Sequence, residues 1–288
     1  MAAVRAGSSL CLRGGEYLEN VSIVPPRGTP TARITMRSFP GERAVLRGLQ
    51  RITDPDYWTF SDLGFTWNTG TYDQHMVKVT AGTGWIVEYS EFWEAQSFAD
   101  LLIASSSTYG PPMDWTLRTS YLRDTIGGEL NDARSHNLYV NAPGSTGGLI
   151  ERNVFANAPN GNNLKIAGSS SGTDGTDNVT VRYNTFLNGH QANVVLGNLA
   201  DNNQFYRNII VANDRGWAFR LYDLRGASNR VTNNLWWDSG GGVFCSDYAS
   251  AVLCPAVVGT GQVAHNPLLD TTYHPQSLIA QDYGRFGF

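Results

Sequence analysis

Between Gly148 and Trp237 the chain alternates apolar and polar residues in four similar phrases: GLIERNVF (Gly148 to Phe155), VTVRYNTF (Val179 to Phe186), NQFYRNII (Asn203 to Ile210) and RVTNNLW (Arg230 to Trp236). Each phrase reaches an asparagine and then, two places on, an apolar residue. The asparagines are Asn153, Asn184, Asn208 and Asn234, so the intervals are 31, 24 and 26 residues. A period of that size signals one structural unit stacked on itself. The apolar slot is filled by Phe155, Phe186, Ile210 and Trp236, and upstream by Leu122, Phe92 and Phe65. These seven are predicted to form one continuous internal stack. Upstream, Ser120 and Ser90 hold the asparagine slot, where a hydroxyl can still donate and accept. An asparagine bonded to its counterparts one coil above and below satisfies polar groups that a buried bend otherwise leaves unpaired.

A second ladder lies between the repeats of the first. MVKV, DLLI, NLYV, NLKI, NVVL, AFRL and GVFC place apolar pairs at 77/79, 101/103, 138/140, 164/166, 194/196, 219/221 and 243/245. Two strand ladders in one register, separated by Gly, Asn, Asp and Ser and with almost no helical periodicity, predict an all-β solenoid of parallel strands. A sandwich would join antiparallel neighbours and would not need the same residue in the same slot of every unit. Residues 8 to 48 read as the first coil, with strands SLCLRG and ITMRSF joined by a proline-containing loop. Later coils begin at Trp58, Trp85 and Trp115, which are expected to pack on coil edges, with sugar stacking as the alternative.

Alternate side chains of a strand point to opposite faces. If the apolar pairs of the second ladder point in, its outer face carries Lys78, Asp100, Asn137, Tyr139, Asn163, Lys165, Asn193, Arg220 and Tyr222. The longest loops, Ala104 to Asp114, Arg123 to Ser135 and Ala167 to Asn178, adjoin this ladder and are expected to wall off that face. Tyr139 falls beside Lys165, and Arg220 two rungs beyond, on the ~4.8 Å spacing of neighbouring strands. Asn137, Asn163 and Asn193 are expected to form a file alongside. His190, in the loop before Asn193, can lean over Lys165, and His136 begins the Tyr139 strand.

Composition narrows the function classes. All 288 residues fit one solenoid domain of about eight coils, with a net charge of -4 and no basic footprint for nucleic acid. No apolar run approaches the ~20 residues of a membrane span. Only two residues are lysine, Lys78 and Lys165, and both fall in the polar slot of the second ladder. Cys11, Cys245 and Cys254 form no framework. Cys11 and Cys245 sit at strand positions expected to be buried, and a Cys245 to Cys254 disulfide would close a short excursion. No metal-spaced set of His or Cys occurs and no cofactor is expected, with calcium left open but not indicated. The start MAAVRAGSS has no apolar core for a secretory signal.

The repeat, the asparagine ladder, AGSSLCLRGGEYLENVSI (Ala6 to Ile23) with ITMRSFPGERAVLRG (Ile34 to Gly48), and NPLLDTTYHPQSLIAQDYG (Asn266 to Gly284) together resemble the pectate-lyase-like right-handed parallel β-helix superfamily. The resemblance covers almost the whole chain. It implies a secreted, extracellular carbohydrate-active protein, acting as a monomer on an acidic polysaccharide, with the usual N-terminal cap missing or shortened. The chondroitinase B and alginate lyase family is similar in pairing a lysine with an arginine on this face. NLKIAG supplies Lys165, while the next coil holds Val195 where that family has the arginine. The calcium-dependent members use an aspartate cluster, and here the face offers only Asp100. SHNLYV, containing His136, resembles a phrase frequent in such helices.

An elongated file of amides, a phenol and cations suits a polyanionic sugar. β-Elimination on a uronic acid polymer needs a neutralised carboxylate, a base for the C5 proton and an acid for the leaving oxygen. Lys165, Tyr139, Arg220 and His136 are the expected catalytic residues. Asn137, Asn163, Asn193, Lys78, Tyr222 and His190 are the expected substrate-binding residues. The reading is thus a polysaccharide lyase; the alternatives are a glycoside hydrolase or epimerase on the same fold, and a non-catalytic carbohydrate-binding or adhesion solenoid.

Overall fold

The computed structural model describes residues 4–67, 74–96, 98–126, 134–169, 172–190, 192–213, 217–224, 228–239, 244–247 and 253–287. Among them the strands form three parallel sheets of nine, ten and nine strands, and each coil contributes one strand to each sheet in turn. One coil runs Gly148–Glu151 in the first sheet, Val154–Ala158 in the second and Leu164–Ala167 in the third. The next coil repeats this order in register, with Ile150 beside Val181, Phe155 beside Phe186 and Ile166 beside Leu196. The result is a β-solenoid of about eight turns. Helix among the described residues is confined to Leu253–Val257 and a single 3-10 turn at Leu278–Ala280.

The predicted apolar stack is present throughout. Phe65, Phe92, Leu122, Phe155, Phe186, Ile210 and Trp236 are successive register partners in the second sheet. Phe65 stacks on Phe92 at 4.6 Å between ring centroids and Phe155 on Phe186 at 4.9 Å, so a repeat in sequence becomes a column of dispersion contacts.

The bend from first to second sheet explains the asparagines. One residue there adopts left-handed backbone, among them Tyr89, Thr119, Arg152, Tyr183, Arg207 and Asn233, and turns the chain in a single step. That conformation costs a non-glycine residue roughly 1–2 kcal/mol. The residue that follows turns inward and repairs the hydrogen bonding. The Asn184 amide oxygen accepts from the backbone N–H of Asn153 at 3.0 Å, and that of Asn208 from Asn184 at 2.9 Å. Asn234 serves Asn208 in the same way, and Ser120 Oγ accepts from the N–H of Ser90.

Four local expectations change. Ser9–Leu12 and Ile34–Ser38 are adjacent rungs of the first sheet, Ser9 paired with Thr35, so residues 8 to 48 make more than one coil. Trp58, Trp85 and Trp115 are fully buried, with Trp85 stacked on Trp115 at 5.5 Å. They are core residues with no face for sugar. Cys11 is exposed, because Leu10 and Leu12 take the inward positions of its strand. In the last rung Cys245 pairs with Phe219, two residues out of the expected register, and is bonded to Cys254.

The closing segment runs back along the outside of the second sheet. Ala280 and Tyr283 cover Val154, Ala156, Leu187, Ile209, Val211 and Leu235, which the sheet would otherwise present to water. Arg152 donates to the Gly287 carbonyl at 2.8 Å, and the Tyr121 and Tyr273 hydroxyls meet at 2.6 Å. The outer faces of the first and third sheets are not part of this cover.

Candidate functional site

The third sheet presents one file of outward side chains across the rungs. Ser22, Arg51, Lys78, Leu102, Tyr139, Lys165, Val195, Arg220 and Ser246 are successive register partners. A second file starts each strand, where His75, Ala99 and His136 are partners. Alanine between the two histidines leaves room for a cavity of about 210 Å³ lined by His75, Phe98, Arg134, His136, Tyr139 and Lys165. Three of the four expected catalytic residues, Lys165, Tyr139 and His136, therefore meet in one cavity.

Burial sets the charges of this cavity, because a low-dielectric setting disfavours the ionised form. Lys165 Nζ lies 5.0 Å above the Tyr139 ring. Its pKa is lowered by burial first and by Arg134 second. Tyr139 is pushed up to about 12, mainly by burial and then by Tyr222, against a hydrogen bond from Asn141. His136 falls well below its ordinary range through burial, then Lys165 and His75. Its Nδ1 accepts the backbone N–H of Asn162 at 3.1 Å, which assigns the ring proton to Nε2. His75 is lowered to about 3 by burial, then by Lys78 and Arg51, and its Nδ1 meets no partner among the described residues. The cavity thus holds groups whose ionised forms burial disfavours, with Arg134 in the same lining.

The remaining expected site residues lie elsewhere. Arg220 sits two rungs past Lys165, beyond Val195, with its guanidinium 5.8 Å from the Trp217 ring, and does not line the cavity. Tyr222 folds back over Gly197, where a Cβ would come within 2.2 Å of its ring. Glycine there lets the Tyr222 phenol, itself raised to about 12 by burial, approach Tyr139. Lys78 lines a separate cleft. His190 lines a hollow with Asn157, Pro159, Asn188 and Gly189 and does not reach Lys165.

Asn137, Asn163 and Asn193 are not on the outer face. All three are buried inside, Asn137 Nδ2 donating to Asn163 Oδ1 at 2.7 Å and Asn163 Nδ2 to Asn193 Oδ1 at 2.6 Å. Strict alternation fails at this bend, because the bend residue and the first apolar residue of the strand, such as Asn137 and Leu138, both turn inward. Asp100 holds the same slot one rung earlier and is also interior. Among the described residues, the cavity lining contains no carboxylate.

Sequence reasoning missed Arg134 and left His75 out of the site. Arg134 stands two residues before the His136 strand, at the end of a long loop, and such a position has no periodic signal. The slot shared by His75 and His136, with Ala99 between, was legible.

No protein-family model matches the chain, and no curated protein does. Solved structures do. Pectate lyase Pel9A superposes over 96% of this chain and 74% of its own, with a TM-score of 0.62 and 14% identity. The A-module of the Azotobacter vinelandii mannuronan C-5 epimerase AlgE4 covers 90% of this chain and 89% of its own, with a TM-score of 0.46 and 12% identity. An alginate lyase from Paenibacillus sp. str. FPU-7 covers 91% and 94%, with a TM-score of 0.36 and 13% identity. At such identities the likeness, carried by Pel9A, is one of fold: this chain is a parallel β-helix.

Proposed function

We propose that the protein is a polysaccharide lyase that cleaves a uronic-acid-containing polysaccharide by β-elimination in the cavity between His75 and Lys165. The observation that carries this reading is the meeting of Lys165, Tyr139, His136 and Arg134 in one cavity, with no carboxylate among the described residues of its lining. A glycoside hydrolase needs two carboxylates flanking the scissile bond, and the described residues of the lining supply neither.

The chemistry follows from the protonation states. Arg134 takes the role first given to Arg220 and pairs with the uronate carboxylate, so that negative charge can build up as C5 loses its proton. Burial and Arg134 favour unprotonated Lys165, which takes the C5 proton. The C5–H electrons form the C4=C5 bond, the C4–O4 bond breaks, and the Tyr139 hydroxyl gives its proton to O4. A phenol raised to about 12 is protonated at neutral pH and so is available as the acid. The His136 Nε2–H donates to the substrate carboxylate beside Arg134. The products are an unsaturated uronate and a chain with a free 4-hydroxyl. Proton exchange with water resets Lys165 and Tyr139.

The Cys245–Cys254 disulfide supports action outside the cell, since such bonds persist in oxidising compartments. Among the described residues no helix is long and apolar enough to cross a membrane.

The test is incubation with pectate, alginate, hyaluronate and chondroitin, following ultraviolet absorbance of the new C4=C5 bond and release of reducing ends. Pectate comes first because Pel9A, a pectate lyase, shares the fold. Lys165→Ala and Tyr139→Phe are each expected to cut the rate at least ~10²-fold with an unchanged melting temperature. Full activity in both variants rejects the mechanism. Reducing ends without unsaturation would indicate a hydrolase, and exchange at C5 without cleavage an epimerase.

A further inference from the structure

Three rungs before Lys165 the same outward file carries two cations on adjacent strands, Arg51 and Lys78. They line a cleft of about 300 Å³ whose other walls are hydroxyls, including Thr53, Thr80, Ser105 and Ser106. No carboxylate among the described residues lines it. Among the described residues neither cation makes an ion pair, and the carboxylates of nearby Asp54 and Asp56 are held by Arg27. Two uncompensated positive charges one strand apart repel, and an anion between them relieves that repulsion.

The walls are held in place without a ligand. Thr80 Oγ1 donates to Thr53 Oγ1 at 3.1 Å, which leaves the Thr53 hydroxyl hydrogen free to turn into the cleft. Ser105 Oγ is tied to the Pro143 carbonyl at 2.7 Å, and Ser106 and Gly110 exchange backbone hydrogen bonds that close the loop above. The Arg51 guanidinium donates to the Gln74 side-chain oxygen, which fixes its direction.

This cleft and the central cavity lie along one file of the third sheet. His75 lines the cavity, and its pKa is lowered by burial and then by Lys78 and Arg51. Between them in the file stands Leu102, which is buried. Lys78 and Lys165 are three strand spacings apart, ~14 Å at ~4.8 Å each, and a polymerised pyranose advances a chain by roughly one such spacing.

We propose that the Arg51–Lys78 cleft is a second anion-binding subsite, which takes the carboxylate of a uronate three or four sugars from the one in the central cavity. The inference rests on the polyuronate reading of that cavity and adds the direction of the chain, along the solenoid axis, and a minimum length of four to five units for full affinity.

Binding rather than turnover tests it. Trimers and hexamers of galacturonate, mannuronate and guluronate are titrated calorimetrically into the Lys165→Ala protein, which cannot consume them. At least one hexamer is expected to bind ten or more times tighter than its trimer. Adding Arg51→Gln and Lys78→Gln is expected to abolish that difference while leaving trimer binding and the melting temperature unchanged. Equal affinity for trimer and hexamer, or a hexamer preference that survives the double substitution, overturns the subsite. So does failure of every uronate to bind. A chondroitin sulfate hexamer is the control for sulfate, and a length preference shown by it alone overturns the carboxylate assignment. If the uronate preference appears but the wild-type protein releases no unsaturated product, the lyase reading fails and the subsite stands.

Discussion

Lys165 and Asp100 lie on opposite faces of the third sheet, and burial drives both towards the uncharged form. For Lys165 this favours the role of base proposed above. For Asp100 it makes a stability problem. Asp100 Oδ1 accepts from the Ala95 N–H at 3.0 Å, while Oδ2 and the Asn137 Oδ1 of the next rung have no partner among the described residues. A proton on Asp100 supplies the donor that this end of the amide ladder lacks. Its pKa is raised well above the usual range by burial, with Asp124 adding to the shift and the Ala95 N–H and Arg123 opposing it. An unfolded aspartate ionises near ~4. Above that pH the folded chain keeps a proton that the unfolded chain has released. Stability is therefore full below ~4 and falls by about 1.4 kcal/mol per pH unit up to the folded pKa. Asp100→Asn is expected to raise the melting temperature at pH ~8 and to change it little at pH ~4. An equal shift at both values would show that Asp100 ionises freely in the folded state.

At the level of the element, the asparagine bend is the device that makes stacking cooperative. Asn184 accepts the Asn153 N–H and donates to the Ile150 carbonyl at 2.9 Å, groups that lie in the coil before it. Asn184→Ala leaves both buried and unpaired, at roughly 1–3 kcal/mol each. The expected loss is about 3 kcal/mol, measured as the shift of the urea midpoint at constant slope. This ladder was legible because one slot recurs with one residue type and one apolar partner two places on. The Asn137, Asn163 and Asn193 ladder uses the same chemistry at the bend from second to third sheet. There the inward amide immediately precedes an inward apolar residue, and a rule of strict alternation assigns it to the wrong face.

Across the whole molecule, function depends on which face is left open. The closing segment covers the second sheet, with Tyr283 packed against Ile209 and under Arg207, whose guanidinium is 5.3 Å from its ring. Stacked coils contact only their neighbours, so loosening this segment affects it alone. Tyr283→Ala is expected to make residues 265–287 sensitive to limited proteolysis while the far-ultraviolet dichroism of the sheets persists. Loss of the sheet signal together with cleavage would show that the segment is needed to hold the coils.

The repeat by itself determined the solenoid, the register of the Phe65 to Trp236 stack and the pairing of Tyr139 with Lys165. Each is a periodic property, written once per coil because strands must meet in the same slot. Tertiary structure decided what is not periodic. It brought Arg134 from the end of a loop to the cavity in place of Arg220, turned Asn137, Asn163, Asn193 and Asp100 inward at a bend, sent His190 to another hollow, and joined Arg51 to Lys78. Those outcomes depend on where loops fold and which residue turns at each corner, and a single side chain's direction there is fixed by its packed neighbours rather than by its place in the repeat.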